Sequence, residues 1–159
     1  KDLIAKIKKN PIKRAMRLDK VTIAALTATL QLYLDPDSLA ARVPTIRMLA
    51  RSVGDIQLVA EQVRDPIAAA VGDAFAASII DCQSQVGSGS LPVERLPSKA
   101  LAIGTTKGKP GGKLQKLADA FRALPTPVIG RIQDDAFLLD LRCLEDVDGF
   151  AAQLGDLKL

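Results

Sequence analysis

The sequence contains no histidine and no tryptophan, and only two of its 159 residues are cysteines. Without histidine, a chain cannot form a Ser-His or Cys-His nucleophile pair, or the histidine-containing metal sites that are common in enzymes. Cys82 and Cys143 lie far apart and lack the CxxC spacing of zinc sites, so we predict no metal site. We expect both cysteines to be buried, reduced thiols in a cytoplasmic protein.

Aromatic residues and long hydrophobic runs are also scarce. Phenylalanine and tyrosine make up 3% of the chain, which argues against the base-stacking platforms of single-strand-binding proteins. The longest apolar run is well short of the roughly 20 residues that cross a bilayer, so we expect a soluble protein with no membrane segment. The length suits one ordinary domain, and the opening at Lys1 rather than methionine leads us to expect a piece of a longer chain.

Positive charge is concentrated at the start of the chain. Only Asp2 and Asp19 oppose the cations of the first twenty residues, which are Lys1, Lys6, Lys8, Lys9, Lys13, Arg14, Arg17 and Lys20. A basic surface of this kind attracts phosphate-bearing partners, although a solvated helix face carries the same pattern.

The first half of the sequence has the periodicity of helices. Asp2 to Lys9 is predicted to be a short helix that Pro11 ends, because proline disfavours helical geometry in the preceding residue. Residues 18–34 predict a longer helix that is apolar around most of its girth, so we expect it to be buried against another domain or subunit. A capping box at residues 52–55 starts a third helix, which Pro66 kinks or stops. Its core-facing stripe is Ile56, Val59 and Val63.

The second half has the periodicity of β-strands. We predict strands near residues 75–82 and over 99–105, and a β-hairpin over 126–143 with Asp134 and Asp135 at its tip. Between them a short helix points Leu114, Leu117, Ala118 and Phe121 inward, and Asp146 caps a last helix. This order predicts an α+β fold in which helices cover one face of an antiparallel sheet.

Arg14 and Arg17, in NPIKRAMRLDK, are the best candidates for binding chemistry. If their turn is helical, residues three apart lie on one face, so two guanidinium groups can converge on a phosphate-like anion. Two unrelated surface arginines would give the same pattern. Lys13 is a weaker candidate, and so are the hydroxyls of Ser88 and Ser90 in GSGSLP, which lacks the spacing of known phosphate-binding loops.

Four blocks in the same order resemble the carboxy-terminal third of the bacterial selenocysteine synthases, the L-seryl-tRNA(Sec) selenium transferases. The blocks are NPIKRAMRLDKVTIAALTATLQLYL, VPTIRMLARS, VGSGSLPVERLPSKAL and LPTPVIGRIQDDAFLLDLRCLEDVDGF. Together they cover nearly the whole chain, and their shared order makes the resemblance far more specific than any single block.

The resemblance implies a fold-type I pyridoxal-phosphate enzyme. Residues 1–34 would end the large cofactor domain and form a long interdomain helix, and residues 35–159 would form the small C-terminal α+β domain. Such an enzyme converts seryl-tRNA(Sec) to selenocysteinyl-tRNA(Sec) through an aminoacrylyl intermediate on pyridoxal 5'-phosphate, with selenophosphate as the selenium donor. The cofactor lysine would precede Lys1, so we expect no catalytic residue in this chain and no activity from it alone. The resemblance also implies a homo-oligomer built from dimers.

Arg14 and Arg17 match the two arginines of the family's KRALR block, and the resemblance implies that they bind selenophosphate. Asn10 stands where the family often has histidine, so we assign it no role. Two other interpretations stay open. One is a related pyridoxal-phosphate lyase that acts on a small substrate such as a sugar acid, and the other is a non-catalytic module that binds RNA or protein through its basic first turn.

Overall fold

The computed structural model describes residues 1–86, 95–108 and 110–159. The chain divides into two compact units, Lys1–Arg47 and Met48–Leu159, which we name unit 1 and unit 2. None of the helices in the described ranges is long and apolar enough to cross a lipid bilayer. The domain boundary predicted between residues 34 and 35 concerns the full-length enzyme, and it stays a prediction.

Unit 1 is a series of short helices with ends set by prolines and capping side chains. They are α1 (Asp2–Lys9), a 3₁₀ turn (Pro11–Arg14), α2 (Lys20–Leu32) and α3 (Pro36–Arg42), and α4 (Pro44–Ala50) continues into unit 2. Asn10 ends α1 in an extended conformation, as expected before proline, and its side chain accepts the Ile12 N–H at 2.9 Å. The sequence analysis did not predict α3 and α4, although each begins at a proline, which suits the first turn of a helix.

The predicted long helix of unit 1 is present as α2, slightly shorter at both ends than residues 18–34. Its apolar side chains are exposed, with Val21 at 78% and Leu30 at 56%. No residue between Lys1 and Arg47 is buried. Unit 1 therefore has no hydrophobic core of its own, and its residues do not provide the burial from several sides that the sequence of α2 predicts.

Unit 2 begins with the long helix α5 (Val53–Val71), whose start was predicted correctly. The Ser52 hydroxyl oxygen accepts the Asp55 N–H at 3.1 Å and donates to the Asp55 carboxylate at 2.7 Å. Pro66 lies inside the helix and does not stop it. The predicted stripe is buried and extends further along the same face, as Ile56, Val59, Ala60, Val63, Ile67 and Val71.

Four strands form one antiparallel sheet in the order β1-β2-β4-β3. β1 (Phe75–Gln85) and β2 (Arg95–Thr105) pair along their whole length, and β4 (Ala136–Asp140) pairs with β2 over Ala100–Gly104. β3 (Arg131–Gln133) forms the other edge. Asp134 and Asp135 form the predicted hairpin tip with φ of 49° and 57°, and positive φ at both central residues is the geometry of a type I′ turn.

The helices of unit 2 pack on one face of this sheet. The sheet contributes Leu101, Ile103, Phe137 and Leu139 to the core. The predicted inward side chains of α6 (Lys113–Arg122) are all buried, and they are Leu114, Leu117, Ala118 and Phe121. Asp146 caps α7 (Val147–Ala152) by accepting the Gly149 N–H at 2.9 Å, and a 3₁₀ turn (Gln153–Asp156) follows. The predicted α+β class, with helices on an antiparallel sheet, is confirmed.

The hairpin strands are shorter than the sequence analysis predicted. Residues 126–130 precede β3 instead of joining it, and Val128 donates its N–H to the Phe121 carbonyl oxygen at 3.0 Å, which ties this segment to α6. β4 ends at Asp140, so Cys143 lies outside the strand and is exposed, contrary to the prediction that it is buried. Cys82 is half-buried, and burial together with the nearby Asp140 carboxylate raises the pKa of its thiol.

Replacing Gly130 with alanine is expected to lower the free energy of unfolding of unit 2 by about 1–3 kcal/mol, because no space exists for a methyl group. A Cβ atom at Gly130 would lie 2.5 Å from the Leu138 carbonyl oxygen and 2.6 Å from the Phe137 ring. Denaturant unfolding of Gly130→Ala measures the loss. Gly155→Ala is the matched control, since nothing lies within 4 Å of its Cβ position. Equal stability of the two variants would contradict the close approach at Gly130.

Candidate functional site

The candidate anion site lies in the turn that joins the 3₁₀ segment to α2. Arg14 is the last residue of the 3₁₀ turn, and the Arg17 N–H donates to the Arg14 carbonyl oxygen at 3.4 Å. A four-residue turn of this kind keeps its first and last Cα atoms within about 7 Å of each other. The Cα atoms of the two arginines are therefore close along one turn, and the convergence of their guanidinium groups on one anion stays a prediction.

The carboxylate nearest to these arginines in the sequence has a structural role in α2. Asp19 is the N-cap of α2, and its carboxylate accepts the N–H groups of Val21 and Thr22 at 2.8 and 2.9 Å and the Thr22 hydroxyl at 2.7 Å. The hydrogen bonds from Thr22 lower the pKa of the Asp19 carboxyl group, so it stays ionised and committed to the helix. Within the described residues Asp19 forms no ion pair with Arg14 or Arg17.

Both arginines are exposed, and within the described residues neither guanidinium group makes a hydrogen bond or an ion pair. Lys13 differs, because its ammonium group donates to the Lys8 carbonyl oxygen and helps to close the end of α1. The geometry thus separates the three cations. Arg14 and Arg17 present unengaged donors to solvent, whereas Lys13 has a local structural contact.

The remaining candidates do not join this turn. Ser88 and Ser90 fall in the segment 87–94, outside the described residues, and their role stays a prediction. Asp134 and Asp135 belong to the hairpin turn of unit 2. Across the described ranges, no group of three cysteine, aspartate or glutamate side chains is placed to hold a metal ion.

The sequence does not predict a cluster of buried polar side chains in unit 2, formed by Ser84, Ser98 and Arg142, which we name the Arg142 junction. Arg142 is 5% exposed, and it is buried together with Ser84 and Ser98. No local pattern predicts this junction, because LDLRC has the alternation of an ordinary strand. The hydrogen-bond partners of the Arg142 side chain also lie more than 40 residues away in the chain.

The fold and the site define a class: an antiparallel α+β domain preceded by a basic helical unit with an unengaged arginine pair suited to an oxyanion. Comparison with known proteins gives this class a family. The L-seryl-tRNA selenium transferase family matches residues 1–145. The L-seryl-tRNA(Sec) selenium transferase of Escherichia coli O139:H28 (strain E24377A / ETEC) is 51% identical over 154 residues, which is 97% of this chain and 33% of the relative.

The protein of the same name from Shigella boydii serotype 18 (strain CDC 3083-94 / BS512) matches with the same identity and coverage. The chain belongs to the L-seryl-tRNA selenium transferase family. It spans about a third of the length of the curated relatives that it matches. The resemblance predicted from the four sequence blocks is confirmed.

Proposed function

We propose that this chain is the C-terminal part of an enzyme that converts seryl-tRNA(Sec) to selenocysteinyl-tRNA(Sec). The observation that carries the proposal is the 51% identity over 97% of the chain to proteins named L-seryl-tRNA(Sec) selenium transferase. The exposed turn of unit 1, whose two arginines form no ion pair among the described residues, supports it, because a selenium donor with a phosphate group requires cationic donors. The substrates would be seryl-tRNA(Sec) and selenophosphate, in a cytoplasmic homo-oligomer built from dimers.

In this proposal, pyridoxal 5'-phosphate supplies the electron sink for the chemistry at the serine Cα. A lysine that binds a cofactor aldehyde is activated by burial or by a neighbouring cation, and Lys6, Lys8, Lys9 and Lys13 are all exposed. The resemblance implies a cofactor lysine in a part of the enzyme that precedes the matched segment, so the isolated chain is expected to be inactive.

Arg14 and Arg17 would bind the selenophosphate anion. Their guanidinium groups are planar donors that match an oxyanion through paired hydrogen bonds, and they have no competing partner among the described residues. Lys13 is a weaker candidate because of its contact with the Lys8 carbonyl oxygen. Ser88 and Ser90 remain hypotheses from the sequence alone.

The exposed apolar surface of unit 1 supports the proposed domain layout. Val21, Leu26 and Leu30 on α2 are 78%, 48% and 56% exposed. An apolar helix left this uncovered in water is unfavourable, so we infer that the longer enzyme buries it. In this layout residues 1–34 complete the large cofactor domain, and the small domain starts at residue 35.

Binding of seryl-tRNA(Sec) by the full-length protein tests this proposal against its alternatives. We expect it to bind seryl-tRNA(Sec) more tightly than seryl-tRNA(Ser) at the same salt concentration. A related lyase for small substrates would bind neither RNA specifically. A non-catalytic module would instead show salt-dependent RNA binding by the isolated chain, without discrimination between the two tRNAs.

A further inference from the structure

Arg142 is a buried cation at the junction of several segments of unit 2. It is 5% exposed and lies two residues beyond Asp140, the last residue of β4. Its guanidinium group donates five hydrogen bonds, and within the described residues it makes no ion pair. All its direct acceptors are neutral oxygens, and the Ser84 hydroxyl connects it to the Asp140 carboxylate.

On one side, Arg142 contacts the end of the paired strands β1 and β2 that is formed by residues 81–85 and 95–99. We name this end the outer end of the β1–β2 hairpin. β4 pairs with β2 only as far as Ala100, and the Leu141 N–H reaches the Lys99 carbonyl oxygen at 3.1 Å. Beyond that point the Arg142 guanidinium group supplies the hydrogen bonds that the strand no longer makes. Its Nη2 donates to the Pro97 carbonyl oxygen at 2.5 Å, and its Nε donates to the Ser84 hydroxyl oxygen at 3.3 Å. Both strands of the hairpin are held by one side chain.

On the other side, Arg142 Nη1 closes the end of α4. It donates to the carbonyl oxygens of Met48, Leu49 and Arg51 at 3.0, 3.3 and 3.0 Å. Carbonyl groups at the end of a helix lack partners within the helix, so the guanidinium satisfies groups that would otherwise be unpaired. The outer hairpin and the end of α4 are thereby fixed to each other.

Asp140 reinforces the hairpin side of the junction. Its carboxylate accepts the hydroxyls of Ser84 and Ser98 at 2.6 and 2.8 Å and the Arg142 N–H at 3.2 Å. Buried polar networks are seldom more stable than apolar packing of the same volume, but they select one arrangement. The junction is therefore better explained by a requirement for position than by a requirement for stability.

The outer end that Arg142 holds carries one unengaged cation. Arg95 begins β2 opposite Gln85, is exposed, and makes no hydrogen bond or ion pair within the described residues. The nearby Lys99 is engaged in an ion pair, since its Nζ lies 2.7 Å from the Asp81 carboxylate. An exposed guanidinium on a firmly held strand is suited to a phosphate group.

We propose that Arg95 is a phosphate-contacting residue of the selenium transferase, and that Arg142 is the positioning residue that places it. The inference rests on the function proposed above. The phosphate belongs either to selenophosphate or to the tRNA backbone, and separate measurements of the KM for each substrate distinguish these two sources.

The test compares Arg95→Gln, Arg142→Lys and their double variant in the full-length enzyme. Arg95→Gln and Arg142→Lys are each expected to raise the KM for the same substrate about tenfold, with kcat changed less than about twofold, because one charge-assisted contact is lost. The KM of the double variant is expected to be no higher than the higher of the two single-variant KM values, since both changes remove the same contact. Multiplying effects, or an unchanged KM in Arg95→Gln, would overturn the proposal.

Arg51→Lys is the matched control for a purely structural role. Arg51 Nη1 donates to the carbonyl oxygens of Leu141, Arg142 and Leu144 at 3.4, 3.0 and 2.7 Å, in the same junction but without touching the hairpin. Its substitution is expected to lower stability and leave KM unchanged. An equal rise in KM in Arg51→Lys and Arg142→Lys would show that Arg142 acts only through stability.

Hydrogen exchange separates this proposal from the proposed function. In Arg142→Lys, the amides of residues 81–85 and 95–99 are expected to exchange faster, while those of α6 are unchanged. If the wild-type enzyme transfers no selenium, the proposed function fails whatever the exchange shows. If exchange at the hairpin is unchanged, the positioning role fails even in an active enzyme. Ser84→Ala, which removes one acceptor of Arg142, gives the same readout if Arg142→Lys does not fold.

Discussion

Replacing both Arg14 and Arg17 with alanine in the full-length enzyme is expected to raise the KM for selenophosphate by at least about a hundredfold. In the proposed site each guanidinium would contribute a hydrogen bond between charged groups, worth about 1.5–3 kcal/mol, and 1.4 kcal/mol corresponds to about a tenfold change. The single variants should each raise this KM by about tenfold or more. Steady-state kinetics at saturating seryl-tRNA(Sec) measures the effect.

Two comparisons make this result specific to the arginine pair. Lys20→Ala removes an exposed cation at the start of α2, just beyond the turn, and is expected to leave the KM for selenophosphate within about twofold. The KM for seryl-tRNA(Sec) should change less than that for selenophosphate in every arginine variant. Unchanged kinetics in both Arg14→Ala and Arg17→Ala would remove the assignment.

Replacing Phe121 with alanine is expected to lower the free energy of unfolding of unit 2 by about 3–5 kcal/mol. Phe121 is fully buried on α6, and its ring centroid lies 5.5 Å from that of Phe137 on β4. The substitution removes apolar contacts on both sides of the core and leaves a cavity between helix and sheet. Denaturant unfolding followed by circular dichroism measures the loss.

The control for Phe121→Ala is Leu58→Ala, which truncates a side chain on α5 that is 59% exposed. It is expected to cost less than about 1 kcal/mol, because little apolar surface is removed from the core. A loss of similar size in the two variants would contradict the position of Phe121 in the core.

Local signals account for what the sequence predicted correctly about the fold. The Ser52 cap, the Asp146 cap and the Asp134–Asp135 turn each depend on residues within three or four positions, so one sequence is enough to identify them. The core faces of α5 and α6 follow from helical periodicity in the same way.

The features that sequence reasoning missed depend on contacts between distant segments. β4 ends before Cys143, which is exposed. The Arg142 junction joins residues more than 90 positions apart, and no local pattern marks a strand-end arginine as buried.

The candidate site shows the same division between local and distant information. The spacing of Arg14 and Arg17 predicts their shared turn, and the hydrogen bond between Arg17 N–H and the Arg14 carbonyl oxygen agrees with it. The sequence predicts this helix from residue 18, so the position of Asp19 as the N-cap of α2 is a finding of the structure. The residues of the turn do not identify its ligand, because an exposed guanidinium group can bind any anion and the other residues that would select one lie elsewhere in the enzyme.

Selenium transfer is the most direct test of the account. The full-length protein, loaded with pyridoxal 5'-phosphate, is incubated with seryl-tRNA(Sec) and ⁷⁵Se-labelled selenophosphate, and the radioactivity attached to the tRNA is counted. We predict that label enters the tRNA with the full-length protein, and that none enters with the 159-residue chain alone. A folded, cofactor-loaded full-length protein that attaches no selenium to seryl-tRNA(Sec) would contradict the account.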